Sequence, residues 1–201
     1  MNEDPRQRRT RESLGAALAR LLAAKSLDDI SVAELCREAG VHRTTFYAHA
    51  DSVRDFALAE FSSSIDRLSE VTVDPGEQSP AHVSARYFAS LSQVLQHVVA
   101  DRDAYQSLFG SSTRGVFRSA LEARLRERAR LAIDVWVREG IAEAPRGESV
   151  AAEAAAFIAG ALTGAIEVWA HSDDDDADAA ALRLSRLMPR WWPIPEGGAV
   201  A

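Results

Sequence analysis

Hydrophobic positions recur every three or four residues along most of the chain, and short breaks interrupt this spacing. In the first such segment, from Arg6 to Ala24, Leu14, Leu18 and Leu21 fall on one face. The spacing matches the 3.6-residue repeat of an amphipathic helix, whereas the alternating runs and Asn-Gly turns of strands are absent. The pattern predicts an all-α protein with about nine helices.

Eight more segments with helical spacing follow the first one. A stretch rich in breakers, Thr72–Ser79, separates the fourth helix from the fifth and predicts a flexible joint. The predicted segments after the first lie at about residues 31–39, 42–49, 52–71, 87–98, 105–110, 117–140, 148–171 and 177–193.

The second and third predicted helices meet at Gly40, where the sequence indicates a helix-turn-helix. Ser31, followed three residues later by Glu34, is the signature of a capping box at a helix start. Glycine readily takes the positive φ that ends a helix, so a tight turn is expected at Gly40. With Phe46 in the core, residues 28–50 would form a unit that binds double-stranded DNA.

The second helix of such a unit enters the major groove with its N-terminal residues. Arg43 has the donors to pair with guanine, and Thr44 has a methyl group for thymine. The other polar side chains suit phosphate oxygens, which position a protein without specifying sequence. The predicted DNA-binding residues in this segment are Ser31, His42, Arg43, Thr44, Thr45, Tyr47 and His49.

The segment Arg11–Phe56 resembles the DNA-binding domain of the TetR (tetracycline repressor) family, most clearly in ISVAELCREAGVHRTTFYAHADS. Two positions depart from the family pattern. Ala50 stands where the family usually has phenylalanine, and Val53 where it often has lysine. The resemblance therefore implies that Arg54 takes over a phosphate contact. The C-terminal stretches VVADRDAYQSLF and FIAGALTGAIEVW are similar to one branch of the same family.

This resemblance implies a transcription regulator that forms a homodimer on a palindromic operator. A DNA-binding domain would span residues 1–51, and a ligand-binding and dimerisation domain residues 52–201. A small apolar or amphipathic effector would release such a repressor from DNA. An activator of the same fold stays open as an alternative, and so does a helical small-molecule-binding protein that does not bind DNA.

Apolar stripes supply candidates for the effector pocket and for the dimer interface, although simple core packing is the better explanation for any one pocket residue. The pocket candidates are Phe88, Leu91, Leu95, Tyr105, Phe109, Phe117, Leu121, Trp136, Phe157 and Trp169. Small residues in the eighth helix would allow two subunits to approach closely in a four-helix interface. The interface candidates are Gly160, Ala161, Gly164, Ala165, Leu184, Leu187, Met188 and Trp191.

The net charge of −7 is unevenly distributed along the chain. Residues 1–50 hold eight basic and seven acidic residues, a net +1, which leaves −8 for residues 51–201. The acidic excess therefore lies outside the predicted DNA-binding segment, where it does not oppose phosphate binding. Four arginines near the N-terminus suggest an arm that contacts DNA. They are Arg6, Arg8, Arg9 and Arg11.

The remaining features favour a cytoplasmic protein without catalytic or metal chemistry. Cys36 is the single cysteine, and no apolar stretch resembles a signal peptide. The most apolar segment, residues 154–166, is short for a membrane span, so no membrane partner is expected. Neither the spacing of the histidines nor any nucleophile or phosphate-loop motif predicts a metal site, a cofactor or an enzyme.

Overall fold

The computed structural model describes residues 5–68 and 80–192. Within them the chain forms nine α-helices and a short 3₁₀ helix, Leu27–Asp29, without strands, which confirms the predicted all-α class. The predicted joint at Thr72–Ser79 lies outside the described residues. The helices are α1 (Pro5–Leu22), α2 (Val32–Ala39), α3 (Arg43–Tyr47), α4 (Val53–Leu68), α5 (Pro80–Ala100), α6 (Arg102–Gly110), α7 (Arg114–Arg138), α8 (Glu148–Ala170) and α9 (Ala177–Arg186).

The chain divides into two compact units. The first comprises residues 1–64 and 101–117, and the second comprises residues 65–100 and 118–201. Two of the three boundaries fall within α4 and α7, and the third lies between α5 and α6. Besides α1 to α3, the first unit thus includes most of α4, all of α6 and the start of α7. The division after residue 51 remains a prediction about function.

The core of the first unit forms where α1, α2 and α3 turn their apolar faces inward. Leu14, Leu18, Leu35 and Phe46 are completely buried. The ring of Phe46 lies 6.1 Å from that of Phe56 in α4, measured between centroids. Burying side chains of this size contributes about 1.5–3 kcal/mol each, so this cluster holds the short α3 in place.

The second unit has its core around Trp136 of α7, whose side chain is completely buried. The rings of Tyr87 and Trp192 lie 6.4 Å and 5.6 Å from Trp136, measured between centroids. Alanines of α8, including Ala155 and Ala159, are also completely buried. Their small side chains let α8 pack closely within this unit.

Helix α8, Glu148–Ala170, closely matches the helix predicted at about residues 148–171. At 23 residues it is long and apolar enough, by length and composition alone, to cross a membrane. The segment expected to be too short for a membrane span, residues 154–166, is the central part of this longer helix. A core helix can pass the same test, and Ile158 and Ile166 of α8 are buried within the second unit.

Candidate nucleic-acid interface and ligand cavity

The turn between α2 and α3 has the predicted geometry. The Ser31 hydroxyl accepts a hydrogen bond from the Glu34 amide at 3.2 Å and so caps α2. Gly40 ends α2 with φ of 68°, in the left-handed region. The next amide, that of Val41, donates to the Cys36 carbonyl at 2.9 Å. The cap at Ser31 and the left-handed turn at Gly40 are confirmed. The Glu34 carboxylate binds chiefly Lys25, and the Ser31 amide of the predicted capping box is a weaker donor to it. The cap and the turn fix the direction in which α3 leaves the turn.

Helix α3 separates its apolar side from its polar side over only five residues. Phe46 is buried, while Arg43, Thr44 and Tyr47 are exposed, as is His42 at the N-cap position. We call these four exposed residues the recognition surface. No acidic residue occurs between positions 41 and 50. The recognition surface therefore offers hydrogen-bond donors and one guanidinium without a neighbouring carboxylate in its own segment.

The other predicted DNA-binding residues lie around this surface with different exposure. Ser31 is exposed at the start of α2, with its hydroxyl engaged in the helix cap. Thr45 and His49 are half-buried, so less of their side chains faces solvent. Whether these residues contact DNA stays a prediction.

Two ion pairs join α1 and the turn after it to α2. The Lys25 ammonium lies 2.6 Å from the Glu34 carboxylate, and Arg20 lies 2.8 Å from Glu38. The hydrogen bond from Lys25 lowers the pKa of Glu34. Both acidic side chains of α2 are thereby paired with cations, which reduces the negative charge next to the recognition surface.

Arg54, the predicted substitute for a missing lysine, has partners within the first unit. Its guanidinium lies 3.2 Å from the Asp28 carboxylate and donates to the Ser112 hydroxyl at 2.7 Å. Ser112 also donates to Asp28, from its amide at 3.0 Å and from its hydroxyl at 2.8 Å. The cluster joins the 3₁₀ helix, α4 and the turn after α6. A phosphate contact by Arg54 stays a prediction, and the structure shows these internal bonds.

The four N-terminal arginines do not form an extended arm, because the chain is helical from Pro5 onwards. All four lie in the first two turns of α1, so their backbone is helical. Arg11 forms an ion pair with Glu60 of α4, with 2.9 Å between the nitrogen and the oxygen. Arg11 thus helps to hold α1 against α4 in the first unit.

The second unit contains a cavity between α5, α7, α8 and the C-terminal end of α9. The cavity has a volume of about 70 Å³, within an irregular void of about 670 Å³ that includes space open to solvent. Most of its lining is aliphatic or aromatic. Among the described residues that line it, Arg128 is the single charged one. We refer to this space as the ligand cavity.

The polar part of the ligand cavity is organised around Arg128. Its guanidinium donates to the Ser90 hydroxyl at 3.0 Å, and its central carbon lies 5.7 Å from the ring centroid of Tyr87. The Tyr87 hydroxyl donates to the backbone carbonyl of Arg128 at 3.1 Å. Burial raises the pKa of Tyr87 to about 12, so the phenol stays neutral at physiological pH. These contacts fix both side chains against one wall.

Of the ten predicted pocket residues, Phe88 and Leu91 line the ligand cavity. Tyr105, Phe109 and Phe117 pack against one another in the first unit instead. Three others are buried in the packing of the second unit. The Phe157 side chain is exposed, and Trp169 lines a separate groove between α8 and α9. The three buried residues are Leu95, Leu121 and Trp136.

Sequence reasoning missed the polar residues of the ligand cavity, namely Arg128, Tyr87, Ser84, Ser90 and Ser185. One signal was present for Arg128. It occupies a position between Leu125 and Ala132 where the apolar stripe of α7 continues at helical spacing. A charged residue on a core-facing stripe indicates a polar partner or a site.

The predicted interface residues of α8 present an open, largely apolar face. A Cβ atom added at Gly160 or Gly164 would meet nothing within 4 Å. Phe157 is 67% exposed and Val168 is 72% exposed on the same helix. Gly164, Ala165 and Leu184 also line a groove of about 410 Å³ between α8 and α9. The remaining small residue, Ala161, is exposed.

The other predicted interface residues divide into two kinds. Leu187 is 78% exposed after the end of α9. Met188 and Trp191 are half-buried and pack against the core of the second unit, and Met188 also lines the ligand cavity. Their side chains therefore already have neighbours within the subunit.

Clusters of metal-ligating side chains and reactive thiols are two further kinds of functional site. No set of three or more His, Cys, Asp or Glu side chains among residues 5–68 and 80–192 is arranged to hold a metal ion. Cys36 is buried in α2, and this burial raises the pKa of its thiol. A thiol in this state reacts slowly, because the thiolate is the nucleophile.

Solved structures with this fold include several transcription regulators. RolR in complex with resorcinol is 21% identical, and the match covers 95% of this chain and 97% of RolR, with a TM-score of 0.58. A TetR-family regulator from Streptomyces coelicolor is 15% identical over 89% of this chain and 79% of its own, with a TM-score of 0.58. The dihydroxyacetone kinase operon activator DhaS is 14% identical over 89% of this chain and 93% of its own, with a TM-score of 0.61.

Comparison of the sequence itself gave no further relative. No protein-family model matches it, and no curated protein matches it. The identities to the solved structures are low, so these similarities concern the fold. The chain has the all-α fold of TetR-family regulators.

Proposed function

We propose that the protein is a sequence-specific DNA-binding transcription regulator that acts as a homodimer and responds to a small molecule. The observation that carries the proposal is the geometry of α2 and α3. Gly40 turns the chain so that Phe46 anchors α3 in the core while Arg43, Thr44 and Tyr47 face solvent. A short helix presented in this way fits the major groove.

The residues of the recognition surface and its surroundings differ in the part of the DNA that each would contact. Arg43 has a planar guanidinium that can donate two parallel bonds to the O6 and N7 atoms of guanine. Thr44 contributes a methyl group and a hydroxyl to the same groove. Tyr47 and Thr45 are further along the helix and suit phosphate oxygens, so they contribute to affinity on any sequence.

A homodimer is proposed because one such unit contacts few bases and because α8 and α9 leave an apolar face open. Phe157, Val168 and Leu187 are large apolar side chains that water surrounds in the single chain. Contiguous apolar surface of this kind marks interaction sites. Pairing it with its copy would bury it in a symmetric interface, and two recognition surfaces would then read a palindromic operator.

The ligand cavity is the proposed effector site, and the proposal places the protein in the cytoplasm with the DNA that it would bind. RolR, which shares the fold, has been solved with resorcinol bound. An effector in the ligand cavity would contact α5, α7 and α8 together. By linkage, it would change DNA affinity only if it favours one arrangement of the dimer over another.

A repressor is the first choice for the direction of regulation, and an activator is the second. DhaS, which has the same fold, is an operon activator. The fold is therefore compatible with activation as well. Catalysis is not part of the proposal, since the structural neighbours compared here are regulators.

Selection of bound genomic fragments by the purified full chain tests the proposal. We expect enrichment of one palindromic sequence whose half-sites lie about one helical turn, or a multiple of it, apart. The variant Arg43→Ala serves as the matched control, because it leaves the fold of α3 and removes one base contact. If the chain enriches no sequence over input DNA, the protein is not a sequence-specific DNA-binding regulator.

A further inference from the structure

We propose that the ligand cavity binds a small monocarboxylate with a compact apolar body, and that Arg128 binds its carboxylate group. This inference names the chemical class of the effector, and it rests on the proposed function of the ligand cavity as the effector site. It follows from the charge, the hydrogen bonds and the size of the cavity.

The first observation is that Arg128 is the one charged residue of the described lining, which contains no carboxylate. Arg128 is half-buried beside aliphatic and aromatic side chains, and a carboxylate can accept two parallel charge-assisted bonds from its guanidinium. A cationic ligand would be repelled by it. A neutral ligand would gain only a weaker hydrogen bond.

The second observation is that the guanidinium is held in position before any ligand binds. Ser90 accepts a bond from it at 3.0 Å, and the ring of Tyr87 supports it at 5.7 Å. Part of the entropy cost of fixing the side chain has therefore been met in the free protein. The planar fork of arginine matches the two oxygens of a carboxylate, which a single ammonium group does not.

The third observation concerns the hydroxyl groups of the lining. The Tyr87 hydroxyl donates to the Arg128 carbonyl, and the Ser185 hydroxyl donates to the Ala181 carbonyl at 2.8 Å. The protons of both hydroxyls are thus used within the protein. These two hydroxyls therefore do not compete with Arg128 for the charged group of a ligand.

The size of the cavity limits the apolar body. Its volume of about 70 Å³ is about half that of a cavity of about 150 Å³ that accepts benzene. A short branched chain fits with little change, and a single ring requires that the lining give way. Met188 is half-buried in the lining and has a flexible side chain, so it is the residue expected to move.

Calorimetric titration of the full chain with three acids and their primary amides tests this inference. The probes are isovalerate, benzoate and phenylacetate, each compared with the uncharged amide of nearly the same shape. We expect at least one acid to bind, and its amide to bind at least about tenfold more weakly, because the bond to a charged group is lost.

Variants of α7 then assign the binding to Arg128. Arg128→Gln should weaken the acid by about 10- to 100-fold, and Arg128→Lys by less, because it keeps the charge without the fork. Arg126→Gln is the matched control, since Arg126 is an exposed arginine of the same helix, 2.5 Å from Glu122. Ser90→Ala should weaken the acid several-fold by freeing the guanidinium, and thermal melts show that each variant is folded.

The inference is overturned if none of the three acids binds at about 10 mM, if an amide binds as tightly as its acid, or if Arg128→Gln keeps the wild-type affinity. DNA binding is measured separately on the selected operator. A chain that binds carboxylates but enriches no DNA sequence would contradict the proposed function alone. A chain that binds its operator but fails the acid test would contradict this inference alone.

Discussion

Replacing Gly40 tests the turn that directs α3, and the structure allows the cost to be calculated. Gly40 has φ of 68°, and a Cβ atom at this position would meet nothing within 4 Å. Steric overlap with neighbours therefore contributes nothing to the cost of Gly40→Ala. What remains is the conformational cost of a left-handed L-residue, about 1–2 kcal/mol.

A second effect opposes this cost. Alanine reduces the freedom of the unfolded chain and so stabilises the folded state by about 0.4–1 kcal/mol. The expected net loss for Gly40→Ala is about 1 kcal/mol, which lowers the melting temperature by about 2–4 °C in a protein of this size. Thermal unfolding followed by circular dichroism measures this difference. Gly40→Asn should lose less, because asparagine tolerates the left-handed region better.

Two other glycines provide matched controls for this experiment. Gly140 has φ of 72° with the same open surroundings, so Gly140→Ala should lose a similar amount. Gly115 also has open surroundings but lies in α7 without a positive φ, so Gly115→Ala should be neutral or slightly stabilising. If Gly40→Ala melts at the wild-type temperature, or if Gly115→Ala loses as much, the positive φ at Gly40 is not the reason for the glycine at this position.

Three further predictions follow from the structure. Tyr47→Phe should weaken binding to operator and unrelated DNA by a similar factor in anisotropy titrations, because a phosphate contact carries no sequence information; a loss confined to the operator would contradict this. Val168→Asp should give particles with the mass of one 21.8 kDa chain in sedimentation, whereas Leu131→Asp, at an exposed position of α7, should not; a dimeric Val168→Asp refutes the interface. Asp28→Asn should lower stability at pH 7, and its difference from wild type should shrink as pH falls below about 4. The Ser112 amide, the Ser112 hydroxyl and Arg54 lower the pKa of Asp28, so its contribution is present above the unfolded pKa and disappears as pH falls through the folded pKa; a constant difference in chemical melts would contradict this.

The helix-turn-helix was predictable because its signals are local. The cap at Ser31, the left-handed residue Gly40 and the buried Phe46 each depend on neighbours within a few residues. Because each of these signals depends only on residues nearby in the chain, it can be recognised from the sequence without knowledge of the tertiary structure. The polar cluster of Asp28 and Ser112 was not predictable, because its two members are 84 positions apart.

The ligand cavity shows where sequence reasoning stopped. An apolar stripe indicates that a helix is buried, but it does not say whether the stripe meets a neighbouring helix or a cavity. Trp136, Phe109 and Phe88 all lie on such stripes, but the first two are packed in the core, whereas Phe88 borders the cavity. Phe157 is exposed because α8 has apolar residues on more than one side. The informative residue was Arg128, whose charge interrupts the stripe of α7.

Specific recognition by Arg43 is the central claim, and one measurement tests it most directly. The affinities of wild type and Arg43→Ala are compared on the selected operator and on a set of single-base substitutions of that operator. The account predicts that Arg43→Ala loses about 1–3 kcal/mol on the operator and no longer distinguishes the bases at one position of each half-site, with other positions unchanged. Equal discrimination by both proteins at every position would show that Arg43 does not contact a base, and would contradict the account.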